Sequence, residues 1–215
     1  MSHSDADLPD RAPSEPWRAA LEAELERERD RAREIDHRAR NSLQLAGSLL
    51  ALVGRRSASP ETQRTLKSLQ QRIAAVAAVH RGFLQSPDPR RFDLTSHLRD
   101  QLASLARTPA GGDLLLDLDE VEIPTAQAAP LALIINELVG NALTHGGDAP
   151  KVAVRLRRLD AGVRLVVEDG GPGLGSDADA SGFGLTIVRL MCQQLRAELA
   201  FEDAQPGLRA VVTAP

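Results

Sequence analysis

Val166-Val167-Glu168-Asp169-Gly170-Gly171-Pro172-Gly173 is the stretch on which the fold turns. It places an aspartate at the end of an apolar strand, with glycines at the second and fourth positions beyond it. Glycine lets backbone approach a ligand closely and take positive φ. A carboxylate at a strand end can accept a hydrogen bond from an exocyclic amine such as adenine's. Nine residues after Gly173 comes Gly182-Phe183-Gly184-Leu185, which opens a helix. The free N–H groups of a helix start suit phosphate. Taken alone, both stretches also read as ordinary turns, because Asp-Gly and Gly-Pro-Gly are common loop sequences.

Upstream, Asn136-Glu137-Leu138-Val139-Gly140-Asn141-Ala142-Leu143-Thr144-His145 puts Glu137, Asn141 and His145 four residues apart, on one helix face. Glu and Asn side chains can hold Mg²⁺ directly or through water. A solvated polar stripe on an amphipathic helix gives the same pattern. Glu-x-x-x-Asn, Asp-x-Gly-x-Gly and Gly-x-Gly-Leu in this order and spacing are far more specific than any one of them. Together they resemble the ATPase domain shared by histidine kinases, gyrase-type ATPases and Hsp90 chaperones. The resemblance implies that Asn141 coordinates Mg²⁺, that Asp169 reads the adenine amine, and that Gly171 and Gly173 shape the base pocket. It implies that Gly182, Gly184 and Leu185 border the phosphates, that His145 lies beside the nucleotide and that Glu137 joins the catalytic set. Leu174–Ser181 would be a short lid. The family usually carries Lys where this chain has Thr144, a position from which Lys could touch phosphates.

The N-terminal half reads as helix. Trp17, Leu21, Leu25, Ala32, Ile35, Ala39, Leu43, Ala46, Leu50 and Val53 recur at steps of three, four or seven, with Glu and Arg on the other faces. This stripe is expected to stop near Gly54. Ser59 and Pro60 suit the cap and first turn of a second helix. That helix is marked by Leu66, Leu69, Ile73, Val76, His80, Phe83 and Leu84 and ends before Pro87. Two long helices on a short loop make an antiparallel hairpin whose apolar stripe is only half covered. Pairing two hairpins into a four-helix bundle would cover it, so a homodimer is expected.

Within the first helix, Glu34-Ile35-Asp36-His37-Arg38-Ala39-Arg40-Asn41-Ser42-Leu43-Gln44 resembles the phosphoacceptor box of HisKA_2-class histidine kinases. Arg72-Ile73-Ala74-Ala75-Val76-Ala77-Ala78-Val79-His80 resembles the family's second-helix segment. Glu34, His37 and Asn41 share a face, and Arg38 and Arg40 bring positive charge. Neutral imidazole is a competent nucleophile towards a phosphoryl group, and Asp36 or Glu34 could orient it or take its proton. In histidine kinases a polar residue at the Asn41 offset is associated with removing phosphate from the partner regulator. His3, His80 and His97 read as polar surface residues.

Downstream of the hairpin the pattern predicts a helix over 93–106 and a strand over 114–118 after a Gly111-Gly112 turn. A long helix follows over 126–143, then strands over 152–159 and 163–168 about an Asp160-Ala161-Gly162 turn. A helix over 183–195 and short strands over 199–201 and 208–212 complete it. The pattern predicts an α+β fold with a helical hairpin first, and the resemblance implies that the rest is an α/β-sandwich ATPase domain of the Bergerat type. The expected division is a disordered tail over 1–16, a dimerisation and phosphoacceptor hairpin over 17–88 and an ATP-binding domain over 89–215.

Composition narrows the function classes. The 215 residues carry 26 Lys+Arg against 30 Asp+Glu, and 2% aromatics. Neither a phosphate-attracting positive excess nor stacking platforms for nucleic acid are present. One cysteine excludes an internal disulfide and a cysteine-rich zinc site. No apolar run is long enough to span a membrane, and the polar, acidic start is not a signal peptide. The expectation is a cytoplasmic protein-histidine kinase without a sensor module. The resemblance implies ATP and Mg²⁺ as its cofactors and a response-regulator receiver domain as its partner. The alternatives are a histidine phosphotransfer protein whose ATPase-like domain only docks, and an anti-sigma-type serine kinase, which would need no phosphoacceptor hairpin.

Overall fold

The computed structural model describes residues 15–83, 88–106, 113–146, 150–173 and 183–215. The expected tail up to residue 14, Leu84, the Gly111-Gly112 turn, the 174–181 lid and Gly182 lie outside them. Two compact units divide the chain, Met1–Asn41 and Ser42–Pro215.

Helix α1 (Glu15–Arg56) begins two residues before the apolar stripe, so Glu15 and Pro16 are helical rather than tail. In the first unit its surface carries ion pairs one turn apart, including Arg33–Asp30 at 3.0 Å. Each such exposed pair contributes about 0.2–0.5 kcal/mol to helix stability. The helix runs past Gly54 to Arg56. Gly54 is therefore no stop: it faces Leu66 across the hairpin, and a Cβ there would lie 3.7 Å from it. Gly47 faces Ile73 in the same way, at 3.8 Å.

Helix α2 (Pro60–Phe83) starts as its sequence predicts, with Pro60 in the first turn and Ser59 Oγ accepting from Thr62 N–H at 3.3 Å. Its buried residues are Arg72, Ala75, Ala77 and Val79.

Strand β1 (Arg91–Asp93) leads into helix α3 (Leu94–Ala106), where the Asp93 carboxylate caps Ser96 N–H at 2.9 Å. Strands β2 (Asp113–Leu118) and β3 (Glu122–Pro124) precede helix α4 (Thr125–His145). The β4–β5 hairpin (Lys151–Leu159, Gly162–Asp169), helix α5 (Phe183–Leu195) and the β6–β7 hairpin (Glu198–Asp203, Leu208–Ala214) finish the chain. β1 and β3 form a small antiparallel sheet that sequence periodicity did not announce.

The main sheet runs β2-β4-β5-β7-β6, parallel at β2–β4 and antiparallel elsewhere. Alternation decides its faces. Val152, Val154 and Leu156 on β4, Val163, Leu165 and Val167 on β5, and Ala210, Val212 and Ala214 on β7 are buried. They form one core with Leu131, Ile135, Leu138 and Val139 of α4 and Val188 and Cys192 of α5. The opposite face is a charge ladder: Glu168 accepts from Arg155 at 3.1 Å and Arg209 at 2.8 Å, and Arg209 also reaches Glu202 at 3.3 Å. This is the expected two-layer sandwich.

His97 is a correction to the sequence reading. It is buried, edge-on to Phe92 with ring centroids 5.2 Å apart, and its Nε2 has no hydrogen-bond partner among the described residues. His80 is half-buried and meets Phe83 edge-on at 5.4 Å.

Candidate active site

Asp169 ends β5, and its carboxylate organises the turn beyond it. Oδ1 accepts from Gly171 N–H at 2.9 Å and from Leu208 N–H at 3.3 Å. With Oδ1 spent on the backbone, Oδ2 is the acceptor left for an incoming amine. Gly171 is buried where α4 ends: a Cβ there would lie 2.8 Å from the His145 carbonyl oxygen and 3.1 Å from Gly146 Cα. Only hydrogen fits at that crossing. Gly173 takes φ +75°. Gly207, between β6 and β7, has φ +105°, and a Cβ on it would lie 1.8 Å from the Asp169 carbonyl oxygen. Neighbouring Glu168 is held below the usual carboxylate range, first by the Arg209 hydrogen bond and then by Arg155. It therefore stays charged on the outer face.

The α4 row arrives at the same end of the sheet. Glu137 is buried, Asn141 half-buried and His145 exposed at the last turn. α5 begins against this row: a Cβ on Gly184 would lie 2.7 Å from Glu137 Oε2 and 3.8 Å from Asn141 Nδ2. Leu185 packs partly buried on the core. The structure thus brings Glu137, Asn141 and Gly184 together, and separately Asp169, Gly171 and the backbone of His145. His145 meets the second group through its carbonyl oxygen, and its side chain is exposed. Thr144 Oγ donates to the Gly140 carbonyl at 2.7 Å, so its hydroxyl is used within its own helix.

Glu137 has a partner that sequence reasoning did not assign. Arg72 of α2 grips it with two parallel bonds, Nε to Oε1 and Nη2 to Oε2, each 2.8 Å. Arg72 had been noted only as part of a family segment. Its partner lies 65 residues away, so no local pattern could pair them.

His37 lies exposed on α1. Asn41 Nδ2 is 3.4 Å from its Nδ1, one turn along the helix. Glu34 pairs with Arg38, and Asp36 with Arg40 at 3.3 Å. In both pairs the arginine stands four residues after the carboxylate.

Residues 34–108 match the HisKA_2 histidine kinase family, and residues 126–215 match the family of histidine kinase-, DNA gyrase B-, and HSP90-like ATPases. The two matched regions together make a HisKA_2-class histidine kinase core. The sensor histidine kinase PdtaS of Mycobacterium tuberculosis is 32% identical over 201 residues, covering 85% of this chain and 39% of that protein. PdtaS of Mycolicibacterium smegmatis is 31% identical over 192 residues, covering 84% of this chain and 38% of that one. The chain therefore spans about two fifths of the length of these relatives. The histidine kinase domain of the Erythrobacter litoralis EL346 blue-light activated histidine kinase superposes with a TM-score of 0.63 at 22% identity, over 80% of this chain and 95% of that domain. That likeness shows the shared fold. In this kinase core the first family match holds His37 and Arg72, and the second holds Glu137, Asn141 and Asp169.

Gly207 and Leu208 were also missed as site residues. The signal available was Pro206-Gly207, a turn dipeptide whose place beside Asp169 only the pairing of β5 with β7 reveals.

Proposed function

We propose that this chain is an ATP-dependent protein-histidine kinase of a two-component system, phosphorylated on His37 and passing the phosphoryl group to an aspartate of a response-regulator receiver domain. The observation that carries the reading is the Asp169 carboxylate, with Oδ1 committed to two backbone amides, on the same chain as an exposed, Asn41-backed His37. Asp169 Oδ2 takes the adenine amine, and Gly171 and Gly173 let backbone close on the base. The first amides of α5 face the phosphates. Asn141 is the residue assigned to Mg²⁺, which neutralises phosphate charge when bound and commonly uses only one or two protein ligands.

In the first transfer an imidazole nitrogen of His37 donates its lone pair to the γ-phosphorus. The bond to the bridging oxygen breaks, and ADP leaves with that electron pair. The remaining ring proton passes to solvent. Asn41 decides which nitrogen attacks: with its amide turned by half a rotation, Oδ1 accepts the Nδ1 proton and Nε2 carries the lone pair. In the second transfer a regulator carboxylate attacks the same phosphorus, the N–P bond breaks with its electron pair returning to the ring, and the ring takes a proton back from solvent. Most of the rate comes from positioning and charge neutralisation. The working form is a parallel homodimer through α1 and α2, in the cytoplasm where ATP and receiver domains meet.

Incubation with γ-labelled ATP and Mg²⁺ tests this. Acid-labile, alkali-stable label is expected on the wild type and none on His37→Ala. A wild type that stays unlabelled, yet takes phosphate from a phosphorylated regulator, would be a phosphotransfer protein instead.

A further inference from the structure

Among the described residues the buried polar side chains are Arg72, Thr95, His97 and Glu137. Two of these four form one ion pair, and it sits in the candidate nucleotide site rather than in the core. Arg72 comes from α2, and Glu137 stands on α4 one turn before Asn141. The guanidinium also lies over the Phe183 ring at 4.8 Å from its centroid, although that ring is 61% exposed. Its Nη2 is 3.8 Å from where a Cβ of Gly184 would be, so it borders the first turn of α5. Three helices thus meet at one cation, beside the amides assigned to phosphate and the amide assigned to Mg²⁺.

A buried ion pair can hold two elements together anywhere in a protein. Here each member stands where the incoming ligand offers an alternative partner. Polyphosphate offers a guanidinium the same fork geometry as a carboxylate with more negative charge, and a divalent cation competes for the carboxylate. We propose that Arg72 is a nucleotide-site residue supplied by α2, and that its pair with Glu137 is a latch: it holds α2 on α4 in the empty site and loosens when nucleotide draws the two charges apart. The proposal rests on the reading of this site as nucleotide-binding. It adds that α2, outside the matched ATPase region, registers whether the site is filled.

The test uses the full chain and a non-hydrolysable ATP analogue with Mg²⁺. Calorimetry establishes binding, and hydrogen exchange then follows the amides of residues 72–80. In the wild type their exchange is expected to speed up on binding by about fivefold or more, the mark of a local opening equilibrium. The double variant Arg72→Met with Glu137→Leu removes both charges and leaves neither buried alone, so α2 stays docked. It is expected to bind about tenfold more weakly and to show the same α2 exchange with and without nucleotide. Arg72→Lys keeps the charge without the planar fork, and serves if the double variant does not fold. Its α2 exchange is expected to be faster in the empty site and to respond less. Wild type that binds no nucleotide overturns the site reading and the latch together. Wild type that binds while α2 exchange stays unmoved, or a substituted protein that keeps the full response, overturns the latch alone.

Discussion

In the proposed nucleotide site the two oxygens of the Asp169 carboxylate have different duties, and a single-atom change separates them. In Asp169→Asn one position becomes a donor. If it faces inward, the amides of Gly171 and Leu208 lose their acceptor; if it faces outward, it meets the adenine amine donor to donor. An unmet polar group of this kind costs about 1–3 kcal/mol, so nucleotide affinity is expected to fall about ten- to a hundredfold by calorimetry. Unchanged affinity would remove Asp169 from the base pocket. His97 gives a prediction of opposite character, about stability rather than binding. Burial lowers its pKa from the ordinary 6.5, outweighing the Asp100 carboxylate and the Gln101 side chain, while Arg81 lowers it further. The unfolded chain therefore takes up the proton first. The stability owed to neutral His97 is complete above pH 6.5 and is lost as pH falls from there to the lowered folded value. Urea unfolding at several pH values should show this slope in wild type and a shallower one in His97→Leu; parallel slopes would refute it. The turn at Asp169 was legible in the sequence because its glycines and its carboxylate are neighbours in the chain. Arg72 and the burial of His97 were not, because both depend on contacts made far along the chain.

At the scale of elements, periodicity carried the reading and failed only where elements are very short. The helices and the five strands of the main sheet each span enough residues to show a period. β1 and β3 have three residues apiece and are defined by each other, Phe92 opposite Ile123, so neither shows alternation by itself. On α1 the sequence stripe told half the story. In the second unit Leu45, Leu49, Leu52 and Val53 are exposed, although only Val53 belongs to the stripe read from sequence. In the first unit Trp17, Leu21, Leu25 and Ile35 are exposed as well. A helix that shows this much apolar surface calls for a partner helix. Light scattering at micromolar concentration should give the mass of a dimer, and Leu49→Glu with Leu52→Glu should give that of a monomer with helical circular dichroism retained. A wild-type monomer would exclude the bundle.

For the whole molecule, the order of elements along the chain was readable from turns and runs, but the order of strands in the sheet was not. The Asp160-Ala161-Gly162 turn announces the antiparallel β4–β5 hairpin, but nothing local states that β2 lies beside β4 in parallel. That arrangement has a consequence for how the protein is made. The β4–β5 and β6–β7 pairs close across short turns, whereas β2 reaches its place only after β3 and α4 have been laid down between it and β4. Closing the longer loop is slower, so β2 should dock last during refolding. Pulsed hydrogen exchange should find the amides of β4 and β5 protected before those of β2; simultaneous protection would refute the order. Until β2 arrives, β4 is an edge strand carrying Val152, Val154 and Leu156, the composition that recruits strands from other chains. A substitution that delays β2 should therefore lower the yield of soluble protein through aggregation, even where the finished fold loses little stability.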